Sequence, residues 1–208
     1  MMIIYGSSVS PYVRKVLAAL YEKGVAFEHR PVGFHAQDPG FRAASPMGKI
    51  PAMEDAGYRL ADSSAIVDYL ERLHPAPALI PEDARDAARA RWFDKFGECE
   101  LTRQVLVPFV ERFLKPRLFK VEGDEALAQR TVDTALPPLF DYLESQIDGP
   151  YLVGGRFGIA DIAVAAPFHN LRLAKVAVDG ARWPKLADWV AATLERPSFT
   201  AAIAAAKS

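Results

Sequence analysis

Residues Met47 to Ser63 read MGKIPAMEDAGYRLADS, and the rest of the chain is organised around them. Apolar Ile50, Pro51, Ala52 and Met53 run into the turn signal Glu54-Asp55-Ala56-Gly57, and a second short run, Tyr58 to Ala61, follows. Two strand-like runs around an Asp-x-Gly turn predict a β-hairpin. Pro51 falls at the start of the first run, a position where the missing N–H is tolerated. Asp62-Ser63 then opens a helical pattern of Ile66, Val67, Leu70 and Leu73. Ser63 suits the N-cap of that helix, and Asp62 an acid near its positive end.

Upstream, Ile3 to Tyr5 predicts a first strand and Gly6 to Val9 a loop. Ser10-Pro11 is a strong helix start, Ser as N-cap and Pro at the first helical position. The helix carries Val13, Val16, Leu17, Leu20 and Tyr21 on one face and stops at Gly24. Phe27 to Val32 alternates as a second strand, and the polar segment 33–45 has room for a short helix. The order is β-α-β-α-β-β-α, and the right-handed crossover rule makes the first two strands parallel. After the proline-rich APALIP of residues 76–81 no strand pattern recurs. Helices are expected over 83–114, kinked near Pro108, and over 124–147, interrupted at Pro137-Pro138. Three more should cover 158–175, 183–195 and 198–206. In the stretch PYLVGGRFGIADIAVA, Gly158 is placed as N-cap, Asp161 as the third helical residue reaching back to it, and Phe157 with Ile162 as a hydrophobic staple.

The whole pattern resembles the cytosolic glutathione transferases, from MGKIPAM…ADS in the first half to the capping stretch and Arg-Pro-Ser-Phe at 196–199 in the second. The resemblance implies a thioredoxin-like α/β domain over residues 1–75, a linker over 76–82 and an all-α domain over 83–208. It implies a cis bond before Pro51, so that the backbone of Ile50 pairs with the cysteinyl part of glutathione. It assigns Asp62 and Ser63 to the γ-glutamyl end, and Lys49 with His35 to the glycyl carboxylate. Where relatives carry Ser or Thr as the second-half cap this chain has Gly158, a weakening of a few tenths of a kcal/mol.

Only the thiolate of glutathione attacks an electrophile. Lowering a thiol from about 8.5 by about two units requires roughly 2.7 kcal/mol. One hydrogen bond to a charged group supplies about 1.5–3 kcal/mol, and a helix N-terminus adds some tenths to about one more. At pH 7 the thiolate fraction would rise from about 3% to about three quarters, a gain of about 25-fold. Larger acceleration must come from placing the second substrate. Ser10, within SSVSPYVRKVLAAL, stands where serine-type members carry their catalytic serine. Ser7, Ser8 and Tyr5 are rivals, Tyr5 because tyrosine-type members use the end of the first strand. A serine rather than a cysteine argues against thiol exchange. Phe34, Phe109, Phe113 and Phe168 are candidates for an apolar electrophile site.

Bulk properties exclude other classes. The net charge of −1 gives no basic stripe for nucleic acid or anionic membrane. No apolar run reaches the roughly 18 residues of a membrane span, and the start MMIIYGSSVS is not a secretory signal. The single cysteine, Cys99, allows no internal disulfide and is read as a buried small apolar group. No metal pattern is present. The expectation is a cytoplasmic, homodimeric, detoxifying enzyme that takes glutathione as co-substrate and a small hydrophobic electrophile. Peroxidase activity is a possible addition. Asp68 facing Arg85, Arg89 and Arg91 across a two-fold axis is one route to the dimer. The alternatives are a glutathione-dependent isomerase, whose class starts Ser-Ser-Cys unlike this chain, and a non-catalytic binding module on the same fold.

Overall fold

In the computed structural model, which describes residues 1–33 and 36–205, β1 (Met2–Tyr5) leads into α1 (Pro11–Lys23). Ser10 is the N-cap of α1, and Gly24 ends it in the left-handed region at φ 64°. Val13, Val16, Leu17 and Leu20 are fully buried, as their spacing predicts. Tyr21 departs from that face: it is exposed, with its ring edge-on to Phe27 at 5.3 Å. β2 (Phe27–Arg30) runs parallel to β1, Tyr5 opposite Arg30. α2 (Pro39–Ala44) is capped by Asp38, whose Oδ1 accepts from the Phe41 N–H at 2.7 Å.

β3 (Ala52–Asp55) and β4 (Tyr58–Ala61) form the expected hairpin, joined by Ala56 at φ 47° and Gly57 at φ 86°. Two central residues with positive φ make the turn whose twist matches the strands. β3 begins later than the sequence suggests, at Ala52. It is a central strand in the order β2-β1-β3-β4, and Pro51 has no N–H to give to either neighbour. α3 (Ser63–Leu73) closes the motif. Its N-cap is Asp62, not Ser63. The Asp62 carboxylate accepts from the N–H groups of Ser64 and Ala65, and Ser63 becomes the first helical residue. A carboxylate oxygen is a stronger acceptor for backbone N–H groups than a hydroxyl oxygen.

The remaining elements are helical. α4 (Ala84–Lys95) and α5 (Thr102–Phe109) are separated by a π-helical stretch, Phe96–Leu101, and a second one, Val110–Phe119, extends α5. The expected kink at Pro108 is thus replaced by wide turns on either side of it. At the first, the backbone N–H of Thr102 bonds to Gly97 O, and its Oγ1 donates to the same oxygen at 2.6 Å. Gly97 is also a close approach: a Cβ there would lie 2.7 Å from the carbonyl oxygen of Ala163. Cys99, on this stretch, is exposed rather than buried. The expected helix 124–147 is two, α6 (Glu125–Thr134) and α7 (Leu136–Gln146). The break falls at Ala135, and Pro137 and Pro138 sit in the first turn of α7, where their missing N–H groups cost nothing but cannot continue the ladder of α6. Helix 158–175 is also two, α8 (Ile159–Ala165) and α9 (Phe168–Leu173), broken at Pro167, which cannot donate to the ladder. α10 (Pro184–Leu194) and α11 (Pro197–Ala204) complete the chain.

The chain forms two compact units, Met1–Ile80 with the residues from Arg196 on, and Pro81–Glu195. The helical domain expected over 83–208 therefore loses its last helix to the first unit. Arg196 makes a two-pronged pair with Glu22 of α1, both contacts at 3.1 Å, and Ser198 Oγ donates to the same carboxylate at 2.6 Å. The Arg-Pro-Ser-Phe signature is what docks α11 on α1. Among the described residues no helix is long and apolar enough to cross a membrane.

Candidate functional site

The sheet register assembles the site. Tyr5, Ala52 and Ala61 lie side by side on β1, β3 and β4. β1 and β4 end there and β3 begins there. So the segments just beyond them all leave one end of the sheet: Gly6 to Ser10, Lys49 to Pro51, and Asp62-Ser63. Residues far apart in sequence meet because antiparallel pairing fixes which ends coincide. Gly6, at φ 134°, admits the close fit. A Cβ on it would lie 2.9 Å from Ile50 Cβ and 2.6 Å from Val13 Cγ2, so the Ile50 side chain rests against the start of the β1–α1 loop.

Ser10 has φ −68° and ψ 129°, and its side chain makes no cap hydrogen bond among the described residues. It is half-buried at the positive end of a helix with no acidic residue in its first turn. Its rivals are occupied or enclosed. Tyr5 is a core residue, 1% exposed, tilted against Phe41 at 6.2 Å with the Arg30 guanidinium over its ring at 5.8 Å. Ser8 is also 1% exposed, and its Oγ has no partner among the described residues. Ser7 Oγ accepts a long bond, 3.4 Å, from the Val9 N–H.

The Ile50–Pro51 bond is cis. Lys49 is exposed, and its backbone is pinned on both sides by buried Ser45, whose Oγ donates to Lys49 O at 2.7 Å and accepts from Lys49 N at 2.9 Å. Asp62 sits at φ 87°, a sparsely populated conformation for a residue with a side chain. Both of its cap bonds, at 2.9 and 3.0 Å, go to Oδ1. Among the described residues neither cap bond uses Oδ2. Ser63 is buried beside it. His35 and Phe34 lie outside the described residues.

The sequence reading missed three supports. Ser45 had only its polarity to mark it. Lys15, 1% exposed, donates to Ser64 Oγ at 2.9 Å and ties α1 to the start of α3. Arg14, also buried, donates to the carbonyls of Ser8 and Val9. Two basic residues in the middle of an apolar helical run were the available signal. Among the described residues no cluster of His, Cys, Asp and Glu could hold a metal.

The other aromatic candidates belong to the helical unit. Phe109 is buried and stacks on Phe113 at 5.3 Å, and Phe113 is half-buried with Arg117 over its face at 4.7 Å. Phe168 is buried against Phe140 and forms one wall of a cavity of about 440 Å³ that Leu171, Arg172, Lys175, Val176 and Val190 also line. Two of the arginines of the expected pairing surface have partners within the chain: Arg89 donates to Gln146 at 2.8 Å, and Arg91 lies 3.5 Å from Asp94.

Comparison with known proteins is consistent along the chain. The glutathione S-transferase N-terminal domain matches residues 4–78, and the glutathione S-transferase C-terminal domain matches residues 124–192. A glutathione S-transferase of Hyoscyamus muticus is 31% identical, over 97% of this chain and 97% of its own. A maleylacetoacetate isomerase of Pseudomonas aeruginosa is 28% identical, over 94% of this chain and 91% of its own. The crystal structure of a glutathione S-transferase from Rhodospirillum rubrum F11 has a TM-score of 0.87 at 28% identity, covering 97% of this chain and 91% of that one. A thioredoxin-like sheet with its cis-proline loop, a helical second half and similarity over nearly the full length lead to one conclusion: the chain belongs to the glutathione S-transferase family of enzymes.

Proposed function

We propose that the protein conjugates glutathione to a small hydrophobic electrophile, with the Ser10 hydroxyl donating to the glutathione thiolate. The observation that carries this reading is the convergence of three segments at one end of the sheet, with a Ser10 hydroxyl that makes no cap hydrogen bond among the described residues. The backbone of Ile50 pairs with the cysteinyl unit, as an added strand does. Asp62 Oδ2 and Ser63 receive the ammonium and carboxylate of the γ-glutamyl end, and exposed Lys49 the glycyl carboxylate. The thiol then lies toward Ser10 and the positive end of α1, where both the hydroxyl and the helix favour its charged form. Burial of Tyr5 in the core supports Ser10 over it. Among the aromatic candidates within the described residues, Phe113 is half-buried and Phe168 lines a cavity, so both have ring surface to offer. Action as a cytoplasmic homodimer in detoxification, with peroxide reduction as a secondary activity, belongs to the same reading and rests on the family.

Glutathione-dependent isomerisation is the second reading, favoured by the similarity to the Pseudomonas isomerase. This chain lacks the Ser-Ser-Cys start of that class, reading Ser7-Ser8-Val9 instead, which ranks isomerisation below conjugation. A non-catalytic module would need neither a serine that leaves its cap bond unmade nor the retained Lys49, Asp62 and Ser63.

The deciding experiment is the pKa of bound glutathione, followed by thiolate ultraviolet absorbance against pH in wild type and Ser10→Ala. A pKa lowered by about two units in wild type and returning toward about 8.5 in the variant is expected. A lowered pKa in both would pass the role to Ser8 or to the helix itself. The absence of any bound thiolate in wild type would leave the binding module as the better account.

A further inference from the structure

α1 buries two adjacent cations, and they brace different parts of the site. Lys15 reaches across to α3. Arg14 instead folds back toward the start of its own helix, the direction in which helical side chains lean. Its Nη2 donates to the carbonyl oxygens of Ser8 at 3.0 Å and Val9 at 3.2 Å, the two residues that precede Ser10. None of the glutathione contacts proposed above uses this guanidinium.

Its location is costly. Arg14 is 0% exposed, and burial pulls its pKa down to about 9. A methionine or leucine would fill an apolar site with less desolvation. What an apolar side chain cannot do is fix two consecutive carbonyls. In a trans peptide the N–H points opposite to the C=O. Turning the Ser8 and Val9 carbonyls toward Arg14 therefore turns the Val9 and Ser10 N–H groups to the other side of the loop. The Ser10 N–H closes on Ser7 O at 3.0 Å, and Arg14 N bonds to Ser10 O at 3.0 Å. The peptide planes on both sides of Ser10 are thereby set, and with them the direction in which Cα–Cβ leaves the backbone.

We infer that Arg14 is a positioning residue, whose guanidinium clamps the Ser8 and Val9 carbonyls and so aims the Ser10 hydroxyl at the glutathione thiolate. The inference rests on the Ser10 reading above. A hydroxyl displaced by about an ångström loses about a hundredfold in rate in unfavourable cases, so the clamp has catalytic consequences without touching substrate.

The test compares wild type, Arg14→Met, Arg14→Lys and Lys23→Met. Lys23 lies on the same helix, is also buried, and donates to two carbonyls, those of His74 at 2.7 Å and Pro77 at 2.9 Å, away from Ser10. It controls for the general loss of a buried cation. The readouts are the bound-thiol pKa, the glutathione Kd, kcat/KM with an activated aryl halide, and Tm. Arg14→Met should lower kcat/KM by about 10- to 100-fold and raise the bound-thiol pKa while the glutathione Kd changes little. Arg14→Lys should recover part of both losses, since an ammonium reaches one carbonyl but lacks the fork. Lys23→Met should lower Tm and leave the thiol pKa at the wild-type value. If Arg14→Met behaves like Lys23→Met, less stable but with a wild-type thiol pKa, the proposal is overturned and Arg14 is a brace only. Should Arg14→Met fail to fold, Arg14→Lys decides: a raised pKa supports the clamp, an unchanged one overturns it. Failure of the underlying Ser10 reading is separate, because it shows as no lowered pKa in wild type, before any variant is compared.

Discussion

The starts of α1 and α8 begin from similar instructions and end differently. Each helix opens on a small residue, Ser10 or Gly158. At α8 the cap is closed from within: Asp161, 1% exposed, accepts from the Gly158 N–H at 3.0 Å and from the Leu152 N–H at 2.9 Å. Every feature there serves the fold. At α1 the side chain best suited to capping caps nothing, and the preceding loop is fixed instead by Arg14 from below. A helix start whose donors are met internally is structural. One left open, with its loop held by other means, has a hydroxyl and a positive end to offer a ligand.

The largest effect that separates the two starts should come from Asp161→Ala. Two buried N–H groups lose their acceptor, at about 1–3 kcal/mol each. Chemical denaturation should show a loss of about 2–5 kcal/mol, and a loss below about 1 kcal/mol would mean that water reaches the site. Next comes pH. Burial raises the Asp161 carboxyl to about 6 despite the two backbone bonds. Its folded pKa thus lies above the unfolded value of about 3.9. The folded state binds the extra proton, so this group's contribution to stability is complete below about pH 4 and is lost as pH rises through about 6. The change should be on the order of 2–3 kcal/mol, and it should vanish from the pH profile of Asp161→Asn. A profile identical in wild type and variant would show that the carboxyl titrates in the folded state as it does in the unfolded one. The smallest effect is the most informative about α1. Ser10→Ala should cost less than about 0.5 kcal/mol, against about 1 kcal/mol for removing a working cap. A full cap-sized loss in Tm would erase the contrast between the two helix starts.

Much of this was legible in the sequence because it depends on near neighbours. The hairpin turn needs two residues with positive φ. Ser10-Pro11 and Gly24 bound a helix through local backbone preferences, and Gly158 with Asp161 is a contact within one turn. The errors have local causes too. Ser63 and Asp62 exchanged roles because a carboxylate outcompetes a hydroxyl for two donors. Pro167 broke a helix that apolar periodicity alone had joined, and Cys99 lay on a π-helical turn whose faces do not follow the 3.6-residue period.

Sequence by itself therefore determined the family and the strand order along the chain, and it nominated the residues proposed to bind a thiol peptide. Which of those residues meet was decided by tertiary structure. Tyr5, Ala52 and Ala61 had to come into register before Ser10, Ile50 and Asp62 shared one end of a sheet. The core had to close over Tyr5 before that side chain left the contest. Arg14 and Lys15 had to be buried before either could act as a brace. Strand register and burial are set by contacts between distant segments, and no window of neighbouring residues contains them.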